Sequence, residues 1–217
     1  MTINEYFDKV FLINVAARKD RLEHAYAEAS KHRFTFERFD AYLPFEVCGR
    51  VEVNAACTAS HRALLEVTAY HKWNRVLILE DDFEIVVPNF EESFTAFVTD
   101  LPDDWEMAYL GGGFQADPQY RVSPNVVRTN GICTTSSYAV KWQSARKIAP
   151  HICGIGPIDC LYYHFNETLQ TYIATPRMIV QMEGFSDIQG RVMANHHSML
   201  DPHHLARLAA RPNGGYR

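Results

Sequence analysis

Three consecutive carboxylates, Glu80, Asp81 and Asp82, follow the apolar run Arg75-Val76-Leu77-Ile78-Leu79. Like charges that close oppose one another's ionisation unless something relieves them. A divalent cation relieves them, and hard oxygen donors suit magnesium or manganese. In an extended segment Glu80 and Asp82 share one face. That pair is the candidate metal site, with Asp82 the direct ligand and Asp81 left for a ribose or a nearby cation. An inert, solvated acidic loop has the same composition, so the surrounding residues must decide.

Several of those residues carry suitable chemistry. Arg18 and Arg21 follow the first apolar run and lie three apart, on one helix face. They suit a diphosphate, or simple pairing with Asp20 and Glu23. Asn14, at a strand end, can hydrogen-bond a pyrimidine or cap its own turn. Asp40 can meet a ribose or merely form a turn. Ser60 and His61 are expected near the start of a helix N-capped by Thr58, where free N–H groups favour anions. Ser60 is given a nucleotide-side role, and His61 is equally an ordinary packed histidine. A Ser–His nucleophile pair does not fit, because adjacent helix residues face apart. Gly111-Gly112-Gly113 lacks the Lys-Ser or Lys-Thr sequel of a phosphate loop and reads as a bend that admits substrate to the backbone. Asp159 follows Gly154-Ile155-Gly156-Pro157 at a helix's first turn, a position that stabilises a carboxylate. Asp187 sits in a Ser-Asp turn. His196, His197, His203 and His204 cluster near the C-terminus.

Alternating strands and helices must position these groups. Lys9–Val15 reads as a buried strand, Arg18–His32 as an amphipathic helix and Phe34–Phe39 as a second strand, together a βαβ unit. A helix from Thr58 to about Trp73 leads into the strand that ends at the acidic triplet. Asn89 opens another helix, and Trp105–Leu110 is a strand stopped by the glycines. Beyond them the pattern predicts a hairpin around Ser123-Pro124-Asn125, a strand over Ser136–Val140 and a short helix over Gln143–Ile148. A helix from Pro157 and short strands at Thr171–Ala174 and Met178–Gln181 complete it.

With 217 residues, 47% of them apolar, the chain has enough material for one domain with a real core. A formal charge of -5 argues against a general nucleic-acid or anionic-membrane binder. No apolar run approaches the ~20 residues of a membrane span. The N-terminus shows no signal-peptide pattern, and the five cysteines include no Cys-x-x-Cys pair. Free thiols and a cytoplasmic location are therefore expected.

The order of the motifs is specific: Ile13-Asn14-Val15-x-x-Arg18-x-Asp20-Arg21, then Ala56-Cys57-Thr58-Ala59-Ser60-His61, then Leu77-Ile78-Leu79-Glu80-Asp81-Asp82. Later come Pro157-Ile158-Asp159 and Ser186-Asp187-Ile188. The set resembles glycosyltransferase family 25, the lipooligosaccharide and collagen-type sugar transferases. Ala56 stands where that family usually has Gly, and Ala16-Ala17 replaces a more polar step. The resemblance implies an α/β fold of GT-A type, a Rossmann-like mixed sheet flanked by helices. The first half would bind nucleotide and the second face the acceptor. Residues 1–217 would form one glycosyltransferase domain: a nucleotide-sugar lobe over about 1–113, an acceptor lobe over about 114–195 and a tail over 196–217. It also implies a UDP-sugar donor, bound through Asn14, Arg18, Arg21, Asp40, Ser60, Glu80 and Asp81. Mn2+ or Mg2+ would sit at Asp82 and Glu80, with His196 a further ligand. Asp159 would be the base, with Asp187 next in line, in an inverting transfer of a hexose. The acceptor would be a hydroxyl on a glycan, a protein or a modified base. A silent nucleotide- or glycan-binding module and a nucleotidyltransferase are the alternatives.

Overall fold

The structure, a computed structural model, describes residues 1–47, 50–114, 120–154, 156–186 and 190–193. The chain runs through α1 (Ile3–Tyr6), β1 (Lys9–Asn14), α2 (Lys19–Lys31), β2 (Glu37–Asp40), β3 (Glu46–Val47), β4 (Arg50–Val51), α3 (Val53–His71), β5 (Val76–Glu80), β6 (Phe83–Ile85) and α4 (Phe90–Asp100). It continues through β7 (Met107–Tyr109), β8 (Gly113–Phe114), β9 (Tyr120–Arg121), β10 (Val126–Arg128), β11 (Ile132–Cys133), β12 (Ser137–Val140) and α5 (Trp142–Ile148). Last come α6 (Ile158–Asn166), β13 (Thr171–Ala174), β14 (Ile179–Gln181), β15 (Gly184–Ser186) and β16 (Arg191–Met193).

Eight strands form one mixed sheet in the order β2-β1-β5-β12-β7-β13-β10-β9. β2, β1 and β5 are parallel, whereas β12 lies antiparallel between β5 and β7. Strands from both halves of the chain are thus interleaved. The expected α/β class, with a mixed sheet flanked by helices, is what forms.

Alternation along the strands builds two cores. Val10 and Leu12 of β1, with Leu77 and Leu79 of β5, pack against Ala25 and Ala29 of α2 and Phe90, Phe94 and Phe97 of α4. The intervening Phe11, Ile13, Val76 and Ile78 face α3, α5 and α6 through Leu64, Leu65, Ile148 and Tyr162. Strands apolar on both faces are what a sheet covered on both sides requires. The same period of two turns Glu80, the next even position after Val76 and Ile78, toward α3.

One sequence expectation needs correction. The third helix begins at Val53, so Thr58, Ser60 and His61 lie within it rather than at its start. Glu52 precedes it without a side-chain cap, so the usual start signal is missing. Of the glycines after β7, Gly111 is required by the packing of the chain itself. A Cβ on Gly111 would lie 1.5 Å from the Ile179 carbonyl oxygen. The Leu110 carbonyl there accepts from the Met178 and Ile179 N–H groups, so only glycine admits the crossing. No helix among the described residues is long and apolar enough to cross a membrane.

Candidate functional site

Ile13 and Glu80 are register partners, so β1 and β5 end side by side. The sheet order turns about β1, with β2 on one side and β5 on the other. Ligands of open α/β sheets gather outside the carboxyl ends of strands at such a reversal. A cavity of about 320 Å³ lies there, lined by Arg18, Arg21, Ser60, His61 and the acidic triplet, with Ala41, Tyr42 and Pro44 along one wall. A more open depression of about 770 Å³, between the end of α2 and the start of α4, meets no strand end of the main sheet.

Asp81 and Asp82 form a turn after β5, so the extended alternation expected of Glu80 and Asp82 stops at Glu80. Both nonetheless face the one cavity. Arg21, in the first turn of α2, holds the turn in place. Its Nη1 donates to Asp81 Oδ1 at 2.9 Å and to Asp82 Oδ2 at 3.1 Å, and its Nη2 donates to the Phe185 carbonyl at 2.7 Å. Asn14 Nδ2 donates to Asp81 Oδ2 at 2.7 Å, and Asn14 Oδ1 accepts from Arg38 Nε at 2.9 Å. Both Asp81 oxygens are therefore engaged within the protein. Asp82 differs: its Oδ1 is buried and accepts no hydrogen bond among the described residues.

Electrostatics single out the same atom. Burial, then the Glu80 charge, push the Asp82 carboxyl up to about 7, against the pull of Arg21. Burial also raises Asp81, with Arg21 and Asn14 opposing it. Glu80 goes the other way. Burial would raise it, but the nearby His61 ring and the Thr135 hydroxyl outweigh that and hold it below the ordinary carboxylate value. Burial holds the Cys57 thiol well above its ordinary value, which disfavours the thiolate at the cavity wall.

Behind Glu80 runs a polar chain. Thr135 Oγ1 donates to Glu80 Oε1, and His61 Nε2 lies 3.4 Å from the same oxygen. His61 Nδ1 is 3.0 Å from the Tyr138 hydroxyl, which is 2.9 Å from that of Tyr162. Helical spacing explains the meeting: His61, Leu64 and Leu65 share the buried face of α3. Nothing local in the sequence marked Thr135, Tyr138 or Tyr162; their pairings span 24 to 77 residues.

The other expected site residues fall as follows. Arg18 lines the cavity and chelates Asp20 through Nε at 3.0 Å and Nη2 at 2.8 Å. Ser60 Oγ donates to the Ala56 carbonyl and accepts from Tyr42 N–H, fixing the segment over the cavity. Its place inside α3 removes the helix-start anion role. Asp40 pairs with Arg38 Nη2 at 2.6 Å and is not among the cavity's lining residues. Asp159, in the first turn of α6, accepts from Thr134 N–H at 3.1 Å and Cys160 N–H at 2.8 Å, away from the lining. Asp187, His196 and the tail over 196–217 lie outside the described residues. Cys57, Cys153 and Cys160 are free thiols.

Among the described residues no three His, Cys, Asp or Glu side chains converge as a complete metal-ligand set. The donors present still fit a hard divalent cation. Asp82 Oδ1 lacks a partner, and Glu80 Oε2 has none among the described residues, while both side chains line the cavity.

No protein-family model and no curated protein sequence matches this chain. Solved structures with a similar outline include A197 from STIV, at TM-score 0.46 and 13% identity over 87% of this chain and 99% of that one. Another is a mannose-1-phosphate geranyltransferase from Thermus thermophilus, at 0.43 and 8% over 77% of this chain and 59% of that one. A glycosyltransferase involved in glycosylation of the major capsid of PBCV-1 matches at 0.36 and 15%, over 77% and 94%. Likenesses this weak assign no activity to this chain.

Proposed function

We propose that this protein is a glycosyltransferase that moves a hexose from a UDP-sugar to an acceptor hydroxyl, with inversion. The carrying observation is the orphaned Asp82 oxygen in a cavity at the carboxyl ends of parallel strands. The ordered motifs that resemble those of glycosyltransferase family 25 run through the same residues. In this reading the cavity takes the diphosphate end of the donor. Arg18 neutralises phosphate charge from the wall, while Arg21 and Asn14 hold the acidic turn in place. Asp82 and Glu80 would hold Mn2+ or Mg2+, which would supply Lewis-acid stabilisation to the leaving diphosphate. His196 remains a candidate third ligand.

The acceptor oxygen attacks the anomeric carbon as the bond from that carbon to the diphosphate oxygen breaks. The acceptor's proton passes to a carboxylate, for which Asp159 is proposed and Asp187 is the next candidate. The acceptor is a hydroxyl on a glycan, a protein or a modified base. A panel of UDP-sugars, with and without manganese, tests the reading by release of UDP. Wild-type protein should release UDP from one donor only with metal, and Asp82→Asn should not. Metal-independent release, or an active Asp82→Asn, overturns it.

A further inference from the structure

Glu80 presents its two carboxylate oxygens to different surroundings. Oε1 is claimed from behind by Thr135 Oγ1 and by His61. Oε2 has no partner among the described residues and belongs to a side chain on the cavity wall. His61 is fully buried, and its Nε2 makes no hydrogen bond of good alignment, only the 3.4 Å approach to Glu80. A lone pair aimed at a carboxylate would be repelled, so the proton belongs on Nε2 and points at Oε1. The far edge of the ring is held by the Tyr138 hydroxyl and, behind it, Tyr162. His61 and Tyr138 also stack, with ring centroids 5.7 Å apart and planes at 29°. The imidazole, carried on α3, is thus braced from two other elements, β12 and α6.

We infer that His61 is a positioning residue: braced by Tyr138 and acting with Thr135, it fixes one oxygen of Glu80 so that the other is presented to the cation in the cavity. Its role rests on the nucleotide-sugar reading of the cavity and extends it to a residue outside the reacting groups. Partners one shell out from a metal ligand typically change metal affinity by about 10–100-fold when removed.

The test measures manganese-dependent UDP binding by calorimetry, alongside melting temperature, on the full chain. His61→Leu keeps bulk without a donor and should weaken UDP binding in the presence of manganese by about 10-fold or more. His61→Gln restores an N–H toward Oε1 and should recover most of that loss. Because His61→Leu leaves Glu80 poorly compensated and can fail to fold, Thr135→Val and its rescue Thr135→Ser form a second pair with the same expectation. Affinity equal to wild type in His61→Leu or Thr135→Val overturns the inference. So does equal loss in His61→Leu and His61→Gln, or in both Thr135 variants, which would indicate packing rather than hydrogen-bond donation. Wild-type protein that binds no UDP with manganese overturns the nucleotide reading itself, and this role for His61 with it.

Discussion

Asn14 Nδ2 and Asp81 Oδ2 meet at 2.7 Å, closing a gap of 67 residues where two neighbouring parallel strands end. One small amide thereby fixes the middle of the acidic turn, and its own oxygen is held by Arg38. Asn14→Ala removes a donor from Asp81 and an acceptor from Arg38, in a largely buried setting. A loss of about 1–3 kcal/mol is expected by urea denaturation, the cost of a buried group left unpaired. An unchanged midpoint would show that Arg21 alone suffices to hold Asp81.

Asp82 should make the unliganded protein less stable as pH rises. Its carboxyl titrates near 7 in the fold and near 4 in an unfolded chain. Between those values the folded state binds the extra proton, so stability falls with rising pH and the full penalty is present above 7. Asp82→Asn removes the penalty. It should be more stable than wild type at pH 8 by denaturant unfolding, by on the order of a few kcal/mol, and close to wild type at pH 4. Saturating manganese and UDP should narrow the gap at pH 8 by stabilising wild type alone. A gap independent of pH would contradict this origin.

Gly111 and Gly156 give opposite expectations for the same substitution. Gly111→Ala drives a methyl into the Ile179 carbonyl, and soluble folded protein should be lost or melt far lower. Gly156→Ala meets nothing within 4 Å and should stay within about 0.5 kcal/mol of wild type. Comparing the two by thermal melting separates a packing requirement from a general dislike of alanine in loops.

Asp159→Asn distinguishes chemistry from bracing. As the base, its loss should lower turnover by about 10²–10⁴-fold with UDP affinity unchanged. As a brace between Thr134 and α6, its loss should lower the melting temperature and spare turnover. Rates, UDP affinity and melting on one preparation tell these apart. Near wild-type turnover would transfer the base role to Asp187.

The sequence pattern exposed what depends on neighbours in the chain. The apolar runs of β1 and β5, and the spacing of Ala25 and Ala29 in α2, gave those elements to within a residue or two. The start of α3 was hidden because no capping side chain precedes Val53, which displaced Ser60 and His61 toward a helix end they do not occupy. The acidic triplet was visible as chemistry, but its internal division was not. Asp81 is saturated and Asp82 starved through Arg21 and Asn14, which reach it from 60 and 67 residues away. β14 was legible as the short strand expected over Met178–Gln181, but β6 carries too few residues for a period to show, and the pairing of the two is a tertiary fact.

The placement of β12 sets an order on assembly. Ser137–Val140 supplies the strand that both β5 and β7 need as a neighbour, so a nascent chain that has emerged only through Gly113 has a sheet with its middle missing. The β5 edge facing that space is apolar and hydrogen-bond hungry, the kind of edge that recruits other chains. Productive closure waits for a segment some sixty residues further along, a long loop to close before the contact repays it. On the ribosome this protein should therefore become protease-resistant in one late step, after β12 has cleared the exit tunnel, rather than half by half.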